Sequence, residues 1–191
     1  MKYISFYTGH YEWDAQQLKK SFDKRGITNY DIEYIDNTGS WSGNTQLKAP
    51  FILRKLKEND SVVWTDADSR IENIPVLFNT IKTETAFRFF DDPSFTLPEH
   101  SVLKNVSSYL QSGTMYFKNT PNVIKLLEEW IELNETDRTQ WDQWTLQYCL
   151  SNSDVTVTEL PESYVFIDGV SSGECIIRHT QASRRFKDKI S

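Results

Sequence analysis

Cysteine is scarce in this chain. Cys149 and Cys175 are the only two among 191 residues, and their spacing fits no zinc or redox motif, which excludes a disulfide framework and leaves two buried thiols in a reducing compartment as the reading. Long apolar runs are also missing. No stretch approaches the roughly 18 residues needed to cross a bilayer, and the opening Met1-Lys2-Tyr3-Ile4-Ser5-Phe6-Tyr7-Thr8-Gly9 is too short an apolar segment for a signal peptide, so a cytoplasmic location is expected. Surplus positive charge is absent too: 21 Lys and Arg stand against 27 Asp and Glu, a formal net charge of -6. Such a field repels a polyphosphate backbone and excludes general nucleic-acid binding. There is no internal repeat, low-complexity tract or linker, and the length suits one domain over residues 1–191 with room for a core and a cleft.

What is present is apolar bulk in a regular pattern. Six Trp, 9 Tyr and 11 Phe supply the area a core needs. Tyr3 to Tyr7 reads as a strand, followed by a helix over 14–24 and a second strand at 31–35, closed by the turn Asp36-Asn37-Thr38-Gly39. A helix is expected from Gln46 to Lys57, with Pro50 in its first turn. Ser61-Val62-Val63-Trp64-Thr65 is too uniformly apolar for a half-exposed strand and fits the middle of a covered sheet. Further on, the pattern predicts helices at 75–81, 121–133 and 142–150. Strands are predicted at 85–90, 114–117, 155–160, 164–167 and 175–178. Alternating strands and helices imply an α/β fold with a mostly parallel central sheet and helices on both faces.

The chemistry-bearing signal is Asp66-Ala67-Asp68 directly after that buried strand. In extended backbone, side chains two apart face the same way, so both carboxylates can meet one ligand where open α/β sheets bind ligands. Two adjacent carboxylates call for a cation, and hard oxygen donors suit Mg²⁺ or Mn²⁺. His179 also follows a short strand, and an imidazole joined to two carboxylates favours Mn²⁺. Behind it lie Arg184, Arg185 and Lys187, which read either as a solvated tail or as charge that faces a diphosphate. Thr8, Gly9 and Tyr11 follow the first strand, where nucleotide-binding sheets hold base and ribose; a plain turn explains them as well. Asp36 is open to the same two readings. Lys48 and Arg54 either reach a phosphate or sugar or lie on a solvated helix face. Arg88, between Phe87 and Phe89, points away from the core and toward a sugar. Trp41, Trp64, Trp141 and Trp144 are candidates for sugar stacking, with Trp141 and Trp144 foremost because they bracket Asp142-Gln143.

The order Asp66-Ala67-Asp68, Ser112-Gly113-Thr114-Met115-Tyr116-Phe117, Asp142-Gln143 and His179 resembles GT-A glycosyltransferases, nearest to glycosyltransferase family eight. The resemblance implies one nucleotide-diphosphate-sugar domain, a UDP-sugar as donor, and Mn²⁺ or Mg²⁺ held by Asp66, Asp68 and His179. It places Ser112, Gly113 and Thr114 by the donor sugar and acceptor, and Asp142 and Gln143 near the anomeric carbon. The family carries glycine three residues and lysine six residues after the histidine; here Ala182 and Arg185 stand there. The acceptor, glycan, lipid-linked or other, is left open. A sugar nucleotidyltransferase of the same fold is an alternative, although Thr8-Gly9-His10-Tyr11-Glu12 lacks its Gly-rich basic loop. A non-catalytic carbohydrate-binding protein is another.

Overall fold

The computed structural model describes residues 1–91, 101–102 and 108–186. The chain opens with β1 (Lys2–Tyr7), α1 (Glu12–Lys24) and β2 (Tyr30–Tyr34), continues through α2 (Trp41–Gln46) and α3 (Lys48–Lys57), and enters β3 (Ser61–Thr65) and β4 (Ser69–Ile71). Then come β5 (Thr85–Asp91), β6 (Ser108–Lys118), α4 (Pro121–Thr136), α5 (Asp142–Ser151), β7 (Val157–Glu159), β8 (Phe166–Ile167), β9 (Ile177–His179) and α6 (Ser183–Phe186). The six-stranded sheet has the order β2-β1-β3-β6-β5-β7. β1 pairs parallel with β2 and β3, and β5 parallel with β7. β6 is antiparallel to both of its neighbours, so this one reversed strand makes the sheet mixed. A small second sheet, β4-β9-β8, lies beyond the end of β3.

Period-two alternation sorts the strand residues into two cores. Ile4, Val62, Trp64 and Phe117 pack with Phe51 and Ile52 of α3, Leu126 and Trp130 of α4, and Leu146 of α5. Tyr3, Val63, Ala86 and Tyr116 face the other way, onto Leu18 and Phe22 of α1 and onto Ile71 and Ile177 of the small sheet. Every residue of β3 is buried, because both of its faces are covered. α4 begins as its sequence dictates: the Thr120 side chain caps the Val123 N–H and Pro121 occupies the first turn.

Several expected elements differ. The helix expected at 75–81 is a 3-10 turn over Val76–Asn79, since only Phe78 is buried there and Ile74 and Val76 point outward. The strand expected at 114–117 extends to Ser108–Lys118. The helix expected from Gln46 begins at Lys48 and is preceded by the separate α2, whose Ser-Gly-Asn-Thr composition carries little helix propensity. Residues 164–167 split into a 3-10 turn, Glu162–Val165, and β8. Both cysteines are free, as expected, but Cys175 is only half-buried.

Candidate active site

Asp66 and Asp68 sit just past the carboxyl end of β3, and the antiparallel pairing of β4 with β9 sets Ser69 opposite His179. That register brings the late histidine to the early carboxylates. One ligand atom from each of Asp66, Asp68 and His179 lies within 4.8 Å of the others. Two carboxylates and an imidazole in this arrangement are compatible with a metal site.

Each member is held in place. The Asp66 N–H donates to the Gly113 carbonyl at 2.9 Å, and the Trp64 indole N–H donates to Asp66 Oδ1 at 3.1 Å. Asp68 Oδ2 accepts the Ala182 N–H at 2.7 Å, and its backbone carbonyl accepts from the Thr180 N–H and hydroxyl. Gln181, at φ 52°, takes the left-handed turn that aims the Ala182 N–H back at Asp68. Burial pushes the Asp66 carboxyl up to about 6, with Asp68 and Asp142 adding to the rise and Lys48 opposing it. Burial also pushes the His179 imidazole down to about 4 against the pull of Asp68, so it is neutral at pH 7, the form that ligates metal.

Behind the carboxylates lies a buried ionic knot. Lys48 Nζ is 3.1 Å from Asp66 Oδ1 and 3.0 Å from Asp142 Oδ2. It also donates to Ser112 Oγ at 3.1 Å, and Ser112 donates to Asp142 Oδ2 at 2.9 Å. Burial alone would push the Lys48 ammonium down, but Asp142 and Asp66 outweigh it and hold the pKa above its ordinary value. Lys48 is therefore not on a solvated helix face. Phe51 and Ile52, three and four residues on, lie on the buried stripe of α3, and that spacing was the sequence signal for Lys48.

These groups share a cleft of about 280 Å³. Tyr7, Thr8 and Tyr11 line it together with the three metal-ligand candidates, and so do Trp41, Asn44, Thr45, Tyr109 and Gln143. Gly9 does not line the cleft but makes the turn, at φ 44°, that leads Thr8 to Tyr11. Asp36 is exposed outside the cleft. The structure does not bring Arg88 to the site: its guanidinium pairs with Glu159 at 2.6 Å. Arg54 is likewise turned to Glu33, also at 2.6 Å. Thr114 is wholly buried against His179 and does not line the cleft. Arg184 is exposed just after Ser183, which lines the cleft. The Arg185 side chain and Lys187 lie outside the described residues.

The tryptophans divide differently from expectation. Trp64 and Trp144 are core residues. Trp141 stacks on Trp144 with ring centroids 4.5 Å apart and meets Trp41 edge-on at 5.6 Å. Trp41 lines the cleft, and so does Trp64, although it is otherwise buried in the core.

Comparison with known proteins gives the site its context. No functionally curated protein resembles the chain closely enough to count as a sequence match. Three similar solved structures are glycosyltransferases. One is involved in the glycosylation of the major capsid of PBCV-1, at 11% identity and TM-score 0.65, with 98% of this chain and 97% of that one covered. The second is the bifunctional WbbM, at 14% identity and TM-score 0.63, with 95% and 45% covered. The third is GlyE of Streptococcus pneumoniae TIGR4, at 11% identity and TM-score 0.60, with 93% and 54% covered. The chain thus spans about half the length of the latter two, and at these identities the likeness is one of fold. The family model described as nucleotide-diphospho-sugar transferase matches residues 18–189, and the chain belongs to that family.

Proposed function

We propose that this chain is a metal-dependent glycosyltransferase of the GT-A type, nearest to family eight, that moves a sugar from a nucleotide-diphosphate donor, a UDP-sugar, to an acceptor. The observation that carries the reading is the convergence of Asp66, Asp68 and His179 to within 4.8 Å in the cleft of a nucleotide-diphospho-sugar transferase. A Mn²⁺ or Mg²⁺ ion held there would act as a Lewis acid that offsets negative charge on the diphosphate leaving group.

The chain's own residues have separable tasks in this reading. Thr8 and Tyr11 contact base and ribose at the β1 end of the cleft. Arg184, Arg185 and Lys187 add positive charge toward the diphosphate, whose charge grows as the glycosidic bond breaks. Asp142 is tied by Lys48 and Ser112 and is nearly buried, which favours a positioning and electrostatic part over a free general base. Gln143, on the cleft wall, offers an amide dipole to the sugar.

The test is titration calorimetry with UDP, with and without Mn²⁺, together with donor turnover by Asp68→Ala. Metal-dependent UDP affinity in the wild type and its loss in the variant are expected, with turnover down by at least about 100-fold. Near wild-type turnover by Asp68→Ala would sink the reading. A purely carbohydrate-binding protein would show no metal-dependent nucleotide affinity at all.

A further inference from the structure

β6, the reversed strand, does not keep an even register with β5. Ala86 pairs with Tyr116 and Arg88 with Gln111, so two steps along β5 correspond to five along β6. The extra residues fall at Ser112-Gly113-Thr114-Met115, a bulge, and bulges re-aim side chains beside functional sites. Leu110 and Met115 face the same core although their odd separation would put them on opposite faces of a regular strand. Ser112 and Thr114, two apart, conversely serve opposite layers. Ser112 bonds Lys48 and Asp142 on the α3 side, while Thr114 Oγ1 is 2.9 Å from His179 Nε2 on the side of the small sheet.

Gly113 lies between them and touches two members of the metal-ligand trio. Its carbonyl takes the Asp66 N–H. Its face lies against the imidazole so closely that a Cβ added there would be 2.9 Å from Cε1 and 3.0 Å from Nδ1 of His179. No larger residue fits without moving the ring.

We propose that Thr114 is the positioning residue of His179: its hydroxyl oxygen accepts the Nε2–H and so leaves the Nδ1 lone pair free to ligate, while the bare face of Gly113 gives the ring room to lie in that orientation. The assignment of Nδ1 as ligand rests on the metal-dependent reading above; the tautomer does not. A ligating histidine whose other nitrogen is fixed by an outer hydrogen bond has its orientation and basicity set by that partner. Thr114 then acts on the site from beneath, through His179, while Ser112 and Gly113 also line the cleft itself.

The experiment has two arms. In metal-free protein labelled with ¹⁵N-histidine, long-range proton–nitrogen correlation should show His179, assigned by its loss in His179→Ala, as the Nε2–H tautomer. Thr114→Ser should keep that signature, and Thr114→Val should lose it. Mn²⁺ affinity, read from the electron paramagnetic resonance of the free ion, should weaken by about 10–100-fold in Thr114→Val and in Gly113→Ala and stay near wild type in Thr114→Ser. An Nδ1–H tautomer in the wild type overturns the proposal. So does a Thr114→Val protein that melts cooperatively and binds Mn²⁺ as the wild type does. A wild type that binds no Mn²⁺ removes the metal reading instead, and the tautomer arm, which needs no ion, still decides the role of Thr114.

Discussion

Lys48 shows what a single side chain contributes here. Its ammonium is buried between Asp66 and Asp142, so replacing it with methionine would leave two carboxylates facing each other in a desolvated place. Breaking a buried pair in this way costs about 3–5 kcal/mol, tempered because Asp66 already tends toward its neutral form. Lys48→Met should therefore lower the urea midpoint strongly, and Mn²⁺ should recover part of the loss, since a cation would offset the charge of Asp66, the carboxylate common to both groups. If the variant unfolds at the wild-type midpoint, the ammonium is not balancing those acids. Asp66 and Asp68 were legible in the sequence because a strand with the apolar centre Val62-Val63-Trp64 delivers them to its carboxyl end, whatever the rest of the fold does. Lys48 was only half legible: its spacing to Phe51 and Ile52 puts it on the buried stripe of α3, but its partners, Asp142 and Ser112, come from α5 and β6 far along the chain. Arg88 misled for a related reason: alternation with Phe87 and Phe89 says it leaves the core, but not that Glu159 of β7 waits there.

At the scale of elements, Glu84 joins three of them. Its Oε1 accepts from the Thr120 hydroxyl, the cap of α4, and from Asn122; its Oε2 accepts from the N–H and hydroxyl of Thr156, at the start of β7. These bonds hold the carboxyl below the ordinary glutamate range, the Thr120 bond contributing most. A depressed value means that the carboxylate stabilises the fold fully above the unfolded pKa of about 4.3, and that this stability is lost as pH falls through the lower folded value. Glu84→Gln should cost about 1–2 kcal/mol at pH 7, and its melting temperature should fall less than the wild type's between pH 5 and pH 3. Equal acid sensitivity of the two proteins in calorimetry would remove Glu84 from that role. α2 offers a second handle. A Cβ on Gly43 would meet Thr38 Oγ1 at 2.5 Å and Ser40 Oγ at 2.8 Å, where Ser40 caps the Gly43 N–H. Gly43→Ala should cost about 1 kcal/mol through the lost cap and loosen Trp41, Asn44 and Thr45 at the cleft wall, seen as weaker ligand binding at unchanged Mn²⁺ affinity. β6 marks where reading by element fails: propensity located Thr114–Phe117, but neither the reversed direction nor the bulge leaves a local trace, because both are fixed by pairing with β3 and β5.

Taken whole, the described molecule is a six-stranded sheet with a core on each face, and the cleft draws residues from both layers: Lys48 and Asp142 from helices on one side, His179 from the small sheet on the other. The α/β alternation was readable because each helix and strand carries its own period. The small sheet was readable only in part: the strands expected at 164–167 and 175–178 cover β8 and overlap β9, but β4 and the pairing of the three were not, because all three are strands of two or three residues that exist only through one another. His179 thus reaches Asp66 and Asp68 by non-local pairing, and a ligand that bridges them should bind only the folded arrangement. Mass action then predicts the size of the effect. Mn²⁺ with UDP at about 100 times the dissociation constant adds about 2.7 kcal/mol, or roughly 5–11 °C in melting temperature for a chain of this length. A chelator should remove the Mn²⁺ part of the shift, Asp68→Ala should abolish it, and Arg88→Ala, whose partner lies away from the cleft, should keep it while melting slightly lower. A wild-type melting temperature that ignores Mn²⁺ and UDP together would mean that the two layers, though they converge, do not share a ligand.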